Sequence, residues 1–235
     1  MHYIQRYAER ILTGGRTCLR NGRYLVVEGP VGVGKTHLAG MLGERLEGRV
    51  IFEETGENPF LPLFYRDRGK HGFQAQVSFL LSRYARQSAL AQPDLFSRYM
   101  ISDFLFGKGL IFARASLSPE EFELYEKLAA QLVSPAPSPD LVIYLQASTG
   151  VLIDRINRFG RSFEKDMDRN WLDELVDSYN RWFLHDSSYP VLAVNTDSVD
   201  FRRDREAFEG LVKAVLNHPG GLQGFTPSIS GGLKI

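Results

Sequence analysis

The stretch that decides the fold is Tyr24-Leu-Val-Val-Glu28 followed by Gly29-Pro30-Val31-Gly32-Val33-Gly34-Lys35-Thr36. An apolar, β-branched run ends at Glu28, a helical pattern opens at Lys35, and between them stands G-x-x-x-x-G-K-[ST]. Glycines let such a loop turn its backbone N–H groups onto phosphates, and the helix that follows points its positive end at them. Lys35 would bridge the β and γ phosphates of a nucleoside triphosphate, and the Thr36 hydroxyl would ligate Mg²⁺. The alternative is an incidental Gly-rich turn, and the strand before it and the helix after it weigh against that.

Outward from this loop, four more short apolar runs read as buried strands: Val50 to Glu53, Tyr99 to Asp103, Leu141 to Leu145 and Val191 to Val194. Between them lie segments with helical spacing, Lys35 to Leu46, Gly72 to Ala91, Pro119 to Val133, Val151 to Phe159 and Asn170 to Leu184. Alternation of this kind implies crossover connections, hence an α/β domain with a five-stranded, mostly parallel sheet and helices on both faces. The working domain is expected over residues 24–218. Residues 1–23 form a leader with a possible helix over Tyr3 to Ile11, and the Gly/Ser-rich residues 219–235 read as a tail. Pro135, Pro137 and Pro139 mark a loop inside the domain.

Composition sets the outer limits. Of 235 residues 43% are hydrophobic, enough for a real core, and 28 Lys+Arg balance 28 Asp+Glu. No global field would therefore hold the protein on a nucleic-acid polymer or an anionic membrane, and an anion must be captured locally. Cys18 stands alone, which favours a reducing compartment. No apolar run reaches the roughly 20 residues of a membrane span. A cytoplasmic protein is expected.

The loop specifies phosphates without saying what is done with them. A helicase-loader type of ATP-driven module would need an apolar strand ending in Asp-Glu, and no such pair closes a strand here. A different acidic feature does: the second strand runs into Phe52-Glu53-Glu54, then Glu57-Asn58-Pro59-Phe60-Leu61. In a parallel sheet the carboxyl end of a strand beside the phosphate loop opens on the same crevice. A carboxylate there can take a hydroxyl proton as a phosphoryl group moves across, although any one of Glu53, Glu54 and Glu57 taken alone reads more readily as a solvated loop charge.

Five segments in order, the glycine loop, EE…ENPFLPLFY, FQ…SRY from Phe73-Gln74, SDF…IFA over Ser102 to Ala113, and YLQAS…RINRFGRSFEK over Tyr144 to Lys165, resemble the deoxynucleoside kinase family. The likeness runs from about Tyr24 to Phe201 and leans to the bacterial deoxyadenosine/deoxyguanosine kinase branch. It implies a P-loop kinase fold with an Arg-rich lid, ATP and Mg²⁺ as cofactors, and phosphorylation of a deoxynucleoside 5′-hydroxyl for nucleotide salvage. It also implies a homodimer, with Gly72 to Ala91 and Pro119 to Val133 as candidate contact helices. Glu53 falls on the catalytic base, with Glu54 as fallback, and Gln74 on the residue that reads the nucleobase edge. Asp103 falls on the acidic residue of the Glu/Asp-Arg-Ser motif, near Mg²⁺. Tyr65 and Glu164 fall on the pair at the sugar 3′-hydroxyl. Arg155 and Arg161 fall on the phosphate-handling arginines of the lid. A nucleoside monophosphate kinase of similar fold and an ATP-gated module without transfer chemistry are the alternatives.

Two positions depart from the family pattern: Phe159 stands where R-x-x-x-R-G-R has its middle arginine, and Phe104 where the acidic motif has arginine. Arg158 or Lys108 is expected to supply part of the missing charge. Most of the aromatics between Phe52 and Phe112 belong to a core, with Phe64, Phe104 and Phe106 as candidates to sandwich a base.

Overall fold

Strand β1 (Arg23–Glu28) runs through the middle of a sheet completed by β2 (Arg49–Ile51), β3 (Tyr99–Ser102), β4 (Leu141–Gln146), β5 (Val191–Asn195) and β6 (Leu222–Phe225). The computed structural model describes residues 23–53, 56, 58–91, 97–132, 137–165 and 167–227. The leader helix expected over Tyr3 to Ile11, together with Cys18, Glu54 and Glu57, lies outside them. The helices are α1 (Lys35–Leu46), α2 (Leu61–Arg66), α3 (Arg68–Ala91), α4 (Lys108–Ser116), α5 (Pro119–Gln131), α6 (Thr149–Phe159), α7 (Arg169–Arg181) and α8 (Arg205–Leu216). Strand order is β2-β3-β1-β4-β5-β6 and every pairing is parallel, so each connection crosses over through at least one helix.

Burial explains why the strands read as unbroken apolar runs. Leu25, Val26 and Val27 in β1 and Leu141, Val142 and Ile143 in β4 are fully buried on both faces of the sheet, which suppresses hydrophobic alternation. Each such side chain contributes about 1.5–3 kcal/mol relative to an exposed one. Helix α5 shows how local sequence sets a boundary. Ser118 accepts a hydrogen bond from Glu121 N at 3.3 Å while Glu121 Oε2 accepts one from Ser118 N at 3.1 Å, and Pro119 opens the first turn.

The sheet has six strands where the sequence suggests five. Gly220 and Gly221, at φ 103° and 69°, turn the chain so that Leu222 to Phe225, inside the stretch read as a tail, pairs alongside β5. Its burial pattern is almost wholly exposed, so it carries no apolar signature. Helices α2, α4 and α8 also add to those read from the sequence.

The topology fixes where ligands can meet. The chain lays β2 and β3 on one side of β1, then β4, β5 and β6 on the other, so the order reverses at β1 and opens a crevice beyond its carboxyl end. Glu28, the phosphate loop, Glu53 and Asp103 all arrive there. Among the described residues no helix is long and apolar enough to cross a membrane.

Candidate active site

The phosphate loop is shaped by its glycines. Gly32 adopts φ +80°, and a Cβ there would come within 2.7 Å of Ile156 Cγ1, so only glycine fits against α6. Gly34 adopts φ +101° with no atom within 4 Å of where a Cβ would sit, which keeps the phosphate side of the loop open. No side chain caps α1, so the N–H groups of its first turn face the loop's hollow. Lys35 Nζ donates to Gly29 O at 2.9 Å and Pro30 O at 3.0 Å, folding across the space a phosphate would fill. Burial, and after it the charge of Lys108, pulls the Lys35 ammonium down to about 8.

Beside the loop lies a cluster of buried charge. Glu53 Oε1 accepts from Arg83 Nε at 2.7 Å and Glu53 Oε2 from Lys108 Nζ at 2.5 Å. Burial pushes this carboxyl up, but Lys108 and Arg83 together outweigh it and hold Glu53 down at about 2, so it is ionised at neutral pH. Asp103 ties the base to the loop: its Oδ1 accepts from Glu53 N at 2.6 Å and its Oδ2 from Thr36 Oγ1 at 2.5 Å. A hydroxyl and a carboxylate in contact, with a polyphosphate alongside, supply the hard oxygen donors that Mg²⁺ takes, so Thr36 and Asp103 fit that ion. Behind them Glu28 is fully buried, accepting from Leu105 N at 2.7 Å, Gly29 N at 3.1 Å and Tyr179 OH at 3.4 Å, with Lys108 Nζ at 3.8 Å. Its burial pushes the carboxyl up.

A cavity of about 200 Å³ opens on this cluster, lined by Glu53, Gln76, Arg83, Phe79, Phe112, Tyr65 and Glu164 among others. Tyr65 stacks on Phe163 with ring centroids 5.7 Å apart, and burial first, then the charge of Glu164, pushes its phenol up. Gln74 is exposed, whereas Gln76 is 1% exposed and lines the cavity. Two residues along a helix turn the side chain by about 200°, so the two glutamines face nearly opposite ways. Gln76 Oε1 and Arg83 Nη1 are buried without a hydrogen-bond partner, both beside the cavity. Phe104 is likewise displaced from its expected place. It follows the buried end of β3, is fully buried and packs in the core, as Phe106 does. The aromatic walls are instead Phe64, Tyr65, Phe79 and Phe112.

A second cavity, of about 610 Å³, lies on the other side of the phosphate loop between α1, the end of α6 and the turn after β5. Gly32 and Glu164 line both cavities. Arg155, expected among the phosphate-handling groups, instead donates to Thr196 O at 2.5 Å, Thr196 Oγ1 at 3.1 Å, and Val33 O and Val199 O at 3.4 Å each. It staples the turn after β5 to the loop. Arg161 is exposed, its guanidinium 5.9 Å over the Phe163 ring and its backbone N donating to Glu164 Oε2 at 2.9 Å. Phe159 is 67% exposed at the end of α6, with Arg202 5.3 Å above its ring.

Sequence reasoning missed Gln76, Arg83 and Glu28 as site residues. A signal existed for two of them: Gln76, Phe79 and Arg83, at i, i+3 and i+7, form one helix face, and that face meets the cavity.

A model of the deoxynucleoside kinase family matches residues 25–218. A deoxyguanosine kinase of Bacillus subtilis (strain 168) is 34% identical over 197 residues, which span 82% of this chain and 95% of that protein. A deoxyadenosine kinase of Lactobacillus acidophilus is 29% identical over 203 residues, 81% and 94% of the two chains. A solved structure of deoxyadenosine kinase from M. mycoides with dCMP and dCDP bound superposes at TM-score 0.68 with 25% identity, covering 83% of this chain and 98% of that one. The same enzyme with bound dATP gives 0.70 at 23% identity over 83% and 99%, a likeness of fold.

Proposed function

The chain belongs to the deoxynucleoside kinase family, an enzyme that phosphorylates deoxynucleosides, and from that premise we propose that it transfers the γ-phosphoryl group of ATP to the 5′-hydroxyl of deoxyadenosine or deoxyguanosine. The observation that carries the residue assignment is Glu53, an ionised carboxylate lining a cavity of about 200 Å³ and tied through Asp103 to the phosphate loop. Glu53 accepts the hydroxyl proton as the acceptor oxygen bonds to phosphorus and the bond to the β-phosphate oxygen breaks. Lys35 leaves its two carbonyl partners to follow the β and γ phosphates. Thr36 and Asp103 would hold Mg²⁺, which neutralises charge on those phosphates. Gln76 takes the role expected of Gln74: its amide and the free Nη1 of Arg83 meet the edge of the base, while Tyr65 and Glu164 receive the sugar. Arg161, on the lid, closes over the transferred group.

Exposed apolar residues on two helices favour a homodimer, Leu81 and Tyr84 on α3 at 52% and 42% and Leu124 on α5 at 48%. Leu81→Glu is expected to convert a dimer to a monomer in light scattering with sizing; an unchanged mass excludes this face. A lone cysteine favours the cytoplasm, and the kinase unit is proposed to span residues 24–218 with β6 added to it.

The test is one panel: the four deoxynucleosides and their monophosphates, each with ATP and Mg²⁺. Transfer to deoxyadenosine or deoxyguanosine is the expected result. Transfer only to monophosphates, or binding of ATP with no transfer to any acceptor, overturns the reading.

A further inference from the structure

Between the lid and the smaller cavity stands an aromatic ring that lines neither of the two cavities, Phe163. It occupies the middle of a 3₁₀ turn, Ser162–Glu164, which follows the end of α6 at Gly160. Its ring stacks on Tyr65, with centroids 5.7 Å apart and planes 28° from parallel. Tyr65 is 9% exposed, and Phe64 and Trp171 meet it edge-on at 5.3 and 6.3 Å. The tyrosine ring is thus held by its own helix α2, by α7 and by the lid turn. The Arg161 guanidinium lies 5.9 Å over the Phe163 ring, so ring contacts run from the lid arginine through Phe163 to a wall of the smaller cavity.

The turn is otherwise tied to itself. Arg161 N donates to Glu164 Oε2 at 2.9 Å and Glu164 N to Arg161 O at 2.9 Å, bonds that shape the turn without fastening it to the body of the protein. Arg161, Ser162 and Lys165 are exposed, while Phe163 is half-buried and packs on the core. The ion pair of Arg68 Nη2 with Asp168 Oδ2, at 2.8 Å, fastens the chain further on, where α7 begins. A stacked aromatic pair adds attraction beyond the area it buries, so Phe163 is the apolar anchor of the turn, and the surface it anchors to is Tyr65. A sugar resting against Tyr65 steadies that surface and the ring docked on it. Docked and undocked turns then differ in affinity for the sugar, which is the condition under which a ligand shifts a population.

We propose that Phe163 is a positioning residue that couples the two substrates: it docks the lid turn on Tyr65, so that a deoxynucleoside in the smaller cavity favours the lid conformation that brings Arg161 over the transferred group. This rests on the reading of Tyr65 as a sugar contact and of Arg161 as a lid group. Phe163 lines neither cavity and acts through those two residues. Glu164 belongs to the same turn and lines both cavities, so docking sets its carboxylate as well. An acceptor that helps to close the lid keeps the transferred group from water until a hydroxyl is in place. Coupling between binding sites is reciprocal, so the donor favours acceptor binding by the same factor.

Amide hydrogen exchange on the full chain, with each of the four deoxynucleosides at saturation and no ATP, reads the docking. In the wild type the preferred deoxynucleoside is expected to slow exchange at least about fivefold both in α2 and in residues 160–165, where the Arg161 and Glu164 amides are hydrogen-bonded within the turn. Phe163→Ala is expected to keep the slowing in α2 and to lose it in residues 160–165. Phe163→Tyr, which keeps the ring, is expected to restore it. In steady-state kinetics Phe163→Ala is expected to raise KM for the deoxynucleoside and to lower kcat, each by about threefold to tenfold, and Phe163→Tyr to recover both. Lid protection that persists in Phe163→Ala overturns the coupling, and so does a wild-type lid that ignores a deoxynucleoside protecting α2. Loss of both protections in Phe163→Ala makes the ring part of the pocket and overturns it too. If Phe163→Ala fails to fold, Phe163→Leu, which keeps apolar bulk without a ring face, carries the same comparison. A wild type in which no deoxynucleoside protects α2 sinks the reading of Tyr65 at the sugar; a protected α2 beside an indifferent lid sinks the coupling alone.

Discussion

Replacing Gln76 with leucine should make the protein more stable and a worse enzyme at once. The Gln76 side chain is 1% exposed, and its Oε1 is buried with no partner, so the free protein bears the cost of a desolvated amide oxygen. Removing a buried unsatisfied acceptor with a group of similar size recovers about 1–2 kcal/mol. In a domain of this size that raises Tm by roughly 2–8 °C. The bound state moves the other way. A base edge loses both an acceptor and a donor, about 0.5–1.5 kcal/mol for each hydrogen bond, which lowers kcat/KM for the preferred deoxynucleoside by roughly 5- to 150-fold. Differential scanning fluorimetry of the free protein and steady-state kinetics measure the two signs separately. KM for ATP is expected to stay put, because Gln76 lines only the smaller cavity. Gln74→Leu is the control, expected to leave both quantities unchanged. A Gln76→Leu protein that melts lower, with an unchanged KM for the nucleoside, would show that the amide is structural and refute the reasoning.

Glu53→Gln is expected to retain ATP binding while kcat falls about 100- to 10,000-fold, and near-normal turnover removes Glu53 as the base. The same residue predicts a pH effect. Its folded carboxyl is held at about 2 against a usual 4.5, a depressed value, so it contributes about 3 kcal/mol of stability above pH 4.5 that fades as pH falls toward 2. The stability gap between wild type and Glu53→Gln in urea titrations should therefore narrow between pH 5 and pH 3; a constant gap contradicts the ion pairing. Arg155→Ala severs the staple between the turn after β5 and the phosphate loop. A raised KM for ATP and a lower Tm are expected, with kcat at saturating ATP reduced less than tenfold; a larger kcat loss at unchanged KM would return Arg155 to the chemistry. Thr36→Val should raise the Mg²⁺ concentration needed for half-maximal rate, and an unchanged requirement would exclude its hydroxyl as a ligand.

Gly29 to Thr36 were legible because a phosphate loop is a local object. Its glycines, lysine and threonine act within one strand–turn–helix unit, so spacing along the chain is spacing in space. The buried strands were legible for a related reason: a sheet covered on both faces leaves continuous apolar runs in the sequence. Where a solvent-exposed strand had no such requirement, as at Leu222 to Phe225, periodicity was silent.

The sequence by itself determined the α/β class, the phosphate loop, and that Glu53, Asp103, Tyr65 and Glu164 fall in the neighbourhood of one crevice. Tertiary structure alone decided which neighbour of each pair faces inward. Gln76 rather than Gln74 meets the cavity because α3 packs with that face toward Glu53, and a shift of two residues reverses a helical side chain. Arg155 is spent on carbonyls 41 and 44 residues away, a distance along the chain that no motif spans. Lys108 reaches the centre of the site because α4 begins where β3 delivers Asp103, and only the fold brings its ammonium between the carboxylates of Glu53 and Glu28. Charge at a buried site is set by what surrounds it in three dimensions, and a linear chain records the groups without recording their distances.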